Sequence, residues 1–406
     1  MTSGEIQPIP EGARLVHIGF NKTGTTSIQG ALKDARPKLP THGVVYPGEE
    51  RYHKRAGVHI SGAVGRIGDR PVGEADWQEL VDETNAAGDK RVVISSEWLC
   101  QSPEDSVRRV VEELGGDKVH IVATLRPLVK ILPSSWQQFL QNGLRVDYDT
   151  WLRGMLLEPP YEKPTPTFWQ RHTHDAIIER WAKIAGPDHV TAIVVDSRDH
   201  DKILRQFETL LALPDGLLVA EPPEKDNRSL TWPEAEMLRV VNDAFKRKKW
   251  PEELYRSAVR TGFVAALAHM RPSKGDNLTK IPMPTWAAER ASEIGAGFAK
   301  NIAGLGINVV GDLESLGRMP SQTDESATPP AVIPSQMAGD ALVAAIIGAR
   351  QAGRREGKAG SVEAMTSSDG RHTIELGPGT TKALKRAQAT AQGIKYRAQS
   401  LRKSPK

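Results

Sequence analysis

Apolar residues in this chain fall in short bursts separated by longer periodic stretches, the pattern of strands alternating with helices. Compact β-branched or aliphatic runs stand at residues 15–20 (LVHIGF), Arg91–Ser95 (RVVIS), 118–125 (KVHIVATL) and 190–195 (VTAIVV). Between and after them, Thr25–Ala35, residues 76–85, 103–114, 133–142 and 177–184, and Lys202–Leu211 carry apolar positions at helical spacing. Ser102 is placed to cap the helix over 103–114, and Gly115-Gly116 ends it. Residues 41–75, rich in Gly, His, Arg and Pro, read as loop with little regular structure. Repeated strand–helix units predict an α/β fold with a parallel sheet covered on both faces. Ligands in such sheets sit beyond the carboxyl ends of the strands. The polar segments 21–27, 95–98 and 126–135 should therefore converge.

Past residue 212 the pattern turns helical, over 233–246, 251–267 and 285–305, and no internal repeat is present. A main domain is expected over 1–316, with its core at about 13–215 and a helical part at 216–316. A Pro/Ser/Thr-rich linker follows at 317–337, then an extension over 338–406. Within the extension, 338–350 suggests a short apolar helix, 352–380 a disordered Gly/Ser-rich stretch, and 381–406 a basic, helix-prone end.

Composition narrows the classes. No apolar run approaches the roughly 18–20 residues that span a bilayer. The opening MTSGEIQPIPEGAR has neither the basic nor the apolar part of a secretory signal. The single cysteine, Cys100, cannot form an intrachain disulfide, so a reducing compartment, the cytoplasm, is expected. Net charge is +4, but residues 318–406 hold 14 Lys/Arg against 7 Asp/Glu, which leaves the body slightly acidic. The basic balance belongs to the tail, and no specific nucleic-acid partner is expected. An anionic surface is one reading of the tail, and a solvated end without a bulky apolar face is the other.

The first strand runs into Asn21-Lys22-Thr23-Gly24, and Thr25-Thr26-Ser27 then opens a helix. A strand, a tight turn and a helix start make an anion cradle, where backbone N–H groups and the helix dipole face the ligand. Lys22 adds a charge and the hydroxyls add donors. The order differs from G-x-x-x-x-G-K-[ST], because Lys22 precedes Gly24 and no upstream glycine completes that spacing. Taken alone, K-T-G-T-T also fits an ordinary βα turn with a solvated lysine. A second element follows the strand over 118–125: Arg126, biased to extended backbone by Pro127, and Ser134 eight residues on. A helix starting near Pro133 would bring Ser134 and backbone N–H groups to a second phosphate, with the guanidinium as a fork. A surface arginine and a capping serine are the alternative.

Together these elements resemble the sulfotransferases that use 3′-phosphoadenosine 5′-phosphosulfate (PAPS), above all bacterial and actinobacterial members. In that family a P-K-[ST]-G-T-[ST] loop binds the 5′-phosphosulfate, and an Arg with a Ser eight residues later holds the 3′-phosphate. Here the loop is N-K-T-G-T-T, with Asn21 where proline is usual, and R-x(7)-S is intact. SSEWL, SSWQQFLQNG, FWQRH, NRSLTWPEAEMLRVVN and GINVVGDLESL are further shared phrases, so the resemblance covers about 13–316 and excludes the tail. It implies a three-layer, P-loop-NTPase-like sheet, with PAPS as donor and 3′-phosphoadenosine 5′-phosphate (PAP) as product, and it requires no metal. It implies that Lys22 acts on the leaving 5′-phosphate, and that Thr23, Gly24, Thr25, Thr26 and Ser27 bind it. Arg126, Ser134 and Arg228 would meet the 3′-phosphate. The acceptor would be a carbohydrate, a glycolipid or a small alcohol or phenol.

A general base must take the acceptor's proton, and the family uses His or Glu. Glu97, just past a strand end, is the first candidate, with a helix-start carboxylate as its competing role. His174 and His172 follow, and His59 stands behind them. Two other classes stay open. A phosphotransferase or NTPase would need a Mg²⁺-binding acid, for which Asp196 is placed, and a non-catalytic nucleotide-binding protein would need only the cradle.

Overall fold

The computed structural model describes residues 6–63, 66–67, 70–157, 164–196, 198–199, 201–220, 229–269, 280–325, 328–330 and 332–359. Eight strands are β1 Arg14–His17, β2 Val44–Val45, β3 Arg66–Ile67, β4 Arg70–Pro71, β5 Arg91–Ser95, β6 Val119–Leu125, β7 Val190–Val194 and β8 Asn308–Val310. Six of them form one sheet in the order β2-β5-β1-β6-β7-β8, and β3 and β4 pair as a separate hairpin. All five pairings in the large sheet are parallel. The first ten helices are α1 Thr25–Ala35, α2 Lys54–Ile60, α3 Glu74–Ala86, α4 Glu104–Glu113, α5 Leu128–Gln141, α6 Tyr148–Leu156, α7 Thr167–His172, α8 His174–Ala185, α9 Lys202–Leu211 and α10 Trp232–Lys248.

Alternation along the strands builds the layers. Leu15, Val93, Val122 and Ile193 point to one face and pack with Ile28 and Leu32 of α1 and with Phe207 and Leu210 of α9. Val16, Val92, Ile94, Ile121 and Ala123 point to the other, into the larger core with α3, α4, α5 and α8. The result is the three-layer α/β fold. Its central strands are β5, β1 and β6, so the segments after them open on the same edge of the sheet.

Four features differ from the sequence reading. Residues 41–75 are not featureless: they contain β2, α2 and the β3–β4 hairpin. With two and three residues, β2 and β8 fall below the length at which strand periodicity registers. The helix expected to start near Pro133 starts at Leu128 and encloses that proline. An internal proline costs about 3 kcal/mol, but Leu128, Ile131, Leu132, Trp136 and Leu140 are all buried along this helix, and their burial outweighs it. Ser102 does not cap α4: Pro103 holds that position, and the Ser102 hydroxyl is buried without a partner.

Beyond α10 the described residues are mainly helical, including a π-helical stretch at Tyr255–Phe263 and the long helix Thr285–Ala303, before β8 joins the sheet. The chain divides into two compact units, Met1–Ala349 and Arg350–Lys406. The last described helix, Ser335–Ala359, starts three residues before the expected one. Residues 360–406, with the basic end, lie outside the described residues. No described helix is long and apolar enough to cross a membrane.

Candidate active site

The chain leaves β1 at His17 and turns through Ile18, Gly19 and Phe20. Gly19 has φ +45°, and a Cβ there would come within 2.6 Å of Thr25 Cγ2. Gly19→Ala should therefore destabilise the protein by about 1–3 kcal/mol, read as a lowered urea midpoint. The turn itself is closed by Phe20 and Thr23. The Thr23 N–H donates to the Phe20 carbonyl at 3.3 Å, and the Thr23 hydroxyl donates to the same oxygen at 2.6 Å. Lys22 sits at φ +70°, an uncommon conformation for a residue with a side chain. Arg126 donates from Nη1 to the Lys22 carbonyl at 3.0 Å and holds that conformation. Gly24, at φ +89°, is the N-cap of α1, and no side chain caps the helix. The first N–H groups of α1, from Thr25 and Thr26, have no acceptor within the helix and face the turn. Asn21 buries Oδ1 without a partner.

Lys22 is half-buried. Burial pushes its ammonium pKa down, the Glu97 carboxylate opposes that shift, and Arg126 adds to it. The ends of β1, β5 and β6 thus bring one lysine, one carboxylate and one arginine into mutual electrostatic reach, as the three polar segments required. Glu97 opens a short 3₁₀ turn, Glu97–Gln101, and its Oε2 accepts from Gln29 Nε2 at 3.2 Å. Burial also lowers the Arg126 pKa.

Ser134 is not at a helix N-terminus. It lies in the second turn of α5, one turn past Lys130, and its hydroxyl donates to the Lys130 carbonyl at 3.3 Å. Arg126 and the Lys130–Ser134 face still flank the same strand end. Lys130 is lowered chiefly by burial, with Arg126, Arg198 and Lys280 as further cations acting on it and Asp196 opposing them. Sequence reasoning did not anticipate this positive field, because Arg198 and Lys280 come from distant segments. It also missed Arg51, which donates to the Thr26 carbonyl at 2.7 Å beside the start of α1. Arg228 lies outside the described residues.

The histidine candidates do not reach the rim. His174 is fully buried, packed at a tilt against Phe20 with ring centroids 4.4 Å apart and near Phe298, and neither ring nitrogen has a partner. Burial pushes its pKa down to about 3, and no acceptor can approach it. His172 is 2% exposed, packs on Phe168, and is held well below the usual histidine value by burial. His59 is bound by Glu74 at 2.8 Å. Of the proposed bases, Glu97 and His172 both lie in the field of Lys22, and Glu97 is the one of the two that is not buried. Trp136, fully buried against Tyr148, packs the core. Asp196 is gripped by Arg198 through two side-chain bonds of 3.1 Å, which holds its carboxyl low, at about 2. No group of three or more His, Cys, Asp or Glu among the described residues is placed to hold a metal.

No family model matches the sequence, and no curated protein matches it. Among solved structures, a sulfotransferase from Alicyclobacillus acidocaldarius aligns with a TM-score of 0.38 at 16% identity. That alignment covers 60% of this chain and 98% of that one.

Proposed function

We propose that the protein is a sulfotransferase that moves a sulfuryl group from PAPS to an acceptor hydroxyl on a carbohydrate, a glycolipid or a small alcohol or phenol. One observation carries the reading: Lys22, in a strained turn between a strand and a helix start, lies in the field of both Glu97 and Arg126. The motif resemblance supplies the donor, and the single buried Cys100 accords with action in the cytoplasm.

Transfer of this kind needs little covalent chemistry from the protein, so positioning and charge do most of the work. Glu97 takes the proton from the acceptor hydroxyl, whose oxygen forms the new bond to sulfur. The bond from sulfur to the bridging oxygen breaks, and its electron pair leaves on the 5′-phosphate. Lys22 stabilises that developing charge, with the N–H groups at the start of α1 and the hydroxyls of Thr25, Thr26 and Ser27 around it. Arg126, Ser134 and Arg228 hold the 3′-phosphate, in the positive field of Lys130, Arg198 and Lys280. The two phosphates define the donor.

Thermal unfolding measured with PAP, ADP, ATP and Mg²⁺ tests this. PAP should raise the midpoint most, without Mg²⁺, whereas stabilisation by ATP–Mg²⁺ alone would overturn the reading. Glu97→Gln should lower kcat by about 10²–10⁴-fold and leave PAP affinity within about twofold, as measured by calorimetry.

A further inference from the structure

Beneath the Lys22 turn runs a line of buried polar side chains that the proposed chemistry does not use. Thr23, Thr124, His17 and Ser95 are fully buried, and Gln29 is 2% exposed. They bridge the turn after β1, the strands β1, β5 and β6, and helix α1. One end of the line closes the turn that carries Lys22, and the other touches Glu97.

Counting protons fixes the direction of every bond. The Thr23 hydroxyl has one hydrogen, and the Phe20 carbonyl at 2.6 Å can only accept it. At the Thr23–Thr124 contact of 2.7 Å, Thr124 must therefore be the donor. With that hydrogen spent, Thr124 Oγ1 accepts from His17 Nε2 at 3.3 Å. A neutral imidazole carries one N–H, so His17 Nδ1 accepts from the Ser95 hydroxyl at 2.9 Å. Burial supports the neutral form, since it drives the His17 pKa down to about 3. Ser95 Oγ then accepts from Gln29 Nε2 at 3.1 Å, and the second amide hydrogen of Gln29 goes to Glu97 Oε2 at 3.2 Å. Each hydrogen is used once, and the order ends on an ionised carboxylate, which only accepts.

We propose that His17 is a positioning residue: held as its Nε2–H tautomer, it ties the Lys22 turn to Glu97 and keeps Oε2 occupied, so that Oε1 receives the acceptor's proton. The assignment of the proton to Oε1 rests on Glu97 being the base; the tautomer and the tie do not. The reverse order makes the coupling visible. A proton on Oε2 would turn the Gln29 amide over, make Ser95 donate to it, and force His17 to the Nδ1–H form. Thr124 would then donate to His17, and Thr23, to keep a bond with Thr124, would have to leave the Phe20 carbonyl. Protonation at Oε2 is thus incompatible with keeping both the Thr23–Phe20 and the Thr23–Thr124 hydroxyl bonds.

Nitrogen-15 NMR of the full chain with labelled histidine, with His17 assigned by its loss in His17→Gln, reads the tautomer directly. The wild type should show Nε2 protonated and Nδ1 bare at pH 7. Thr124→Val removes the acceptor and should shift His17 toward Nδ1–H, and Thr124→Ser should restore Nε2–H. In Thr124→Val the Thr23 amide should exchange about tenfold faster. The kcat for sulfuryl transfer should fall about tenfold, with KM for PAPS within about twofold. An Nδ1–H or doubly protonated His17 in the wild type overturns the proposal. So does a Thr124→Val protein with unchanged Thr23 exchange, and so does one with unchanged kcat. If the wild type transfers no sulfuryl group, the sulfotransferase reading fails, while the tautomer and exchange measurements still decide the line.

Discussion

Lys22→Met should lower kcat for sulfuryl transfer by about 10²–10³-fold, while KM for PAPS changes far less. In the proposed reaction the lysine acts on charge that develops on the leaving 5′-phosphate, so its contribution would be larger in the transition state than in the ground state. Methionine keeps an unbranched stem and tolerates the site sterically, so the loss reports charge and not packing. The backbone there is held at φ +70° by the bond from Arg126 to the Lys22 carbonyl, and that bond does not involve the side chain. Steady-state kinetics on the variant checks this, and a rate near that of the wild type contradicts the assigned role.

The second large effect is on stability. His17, His172 and His174 are almost completely buried and are held neutral, His17 and His174 with pKa values lowered to about 3 and His172 also well down. In the unfolded chain each titrates near about 6.5. Between these values the unfolded state binds more protons, so stability rises with pH and falls as pH drops below about 6.5. Each such histidine steepens that fall by up to about 1.4 kcal/mol per pH unit, and His53 and His120, both lowered to about 4 chiefly by burial, add to it in the same direction. Acidification from pH 7 to 5 then removes an amount comparable to the whole stability of a typical domain. The low carboxyl of Glu74, at about 2, adds its own loss only at lower pH. Urea unfolding at pH 7, 6 and 5 should show the midpoint collapsing toward pH 5. His174→Leu, which replaces a ring with no hydrogen-bond partner, should flatten that slope by about a fifth. A midpoint that holds constant from pH 7 to 5 contradicts this.

Much of the fold was legible because four strands carried runs of β-branched residues with clear helical periods between them. The edge strands were not: Val44–Val45 and Asn308–Val310 are too short to show a period. Pro133 misled in the opposite way, because a local rule placed a helix start where burial of five apolar side chains keeps a helix running. At the site, the convergence of residues 21–27, 95–98 and 126–135 followed from their places after strands of one parallel sheet. What the sequence hid was burial. His174 stands among the candidate bases in sequence, yet it packs, fully buried, against Phe20 beneath the loop. His17 read as one letter of a strand, and only three-dimensional contacts reveal it as the midpoint of a line from Thr23 to Glu97.

The central claim is that the cradle holds an adenine nucleotide with phosphates at both the 3′ and 5′ positions. Calorimetric titration with PAP and with adenosine 5′-phosphate, without Mg²⁺, tests it most directly. PAP should bind at least about tenfold more tightly, and Arg126→Ala should erase most of that preference. Equal affinity for the two nucleotides, or a preference that Arg126→Ala leaves intact, would contradict the account.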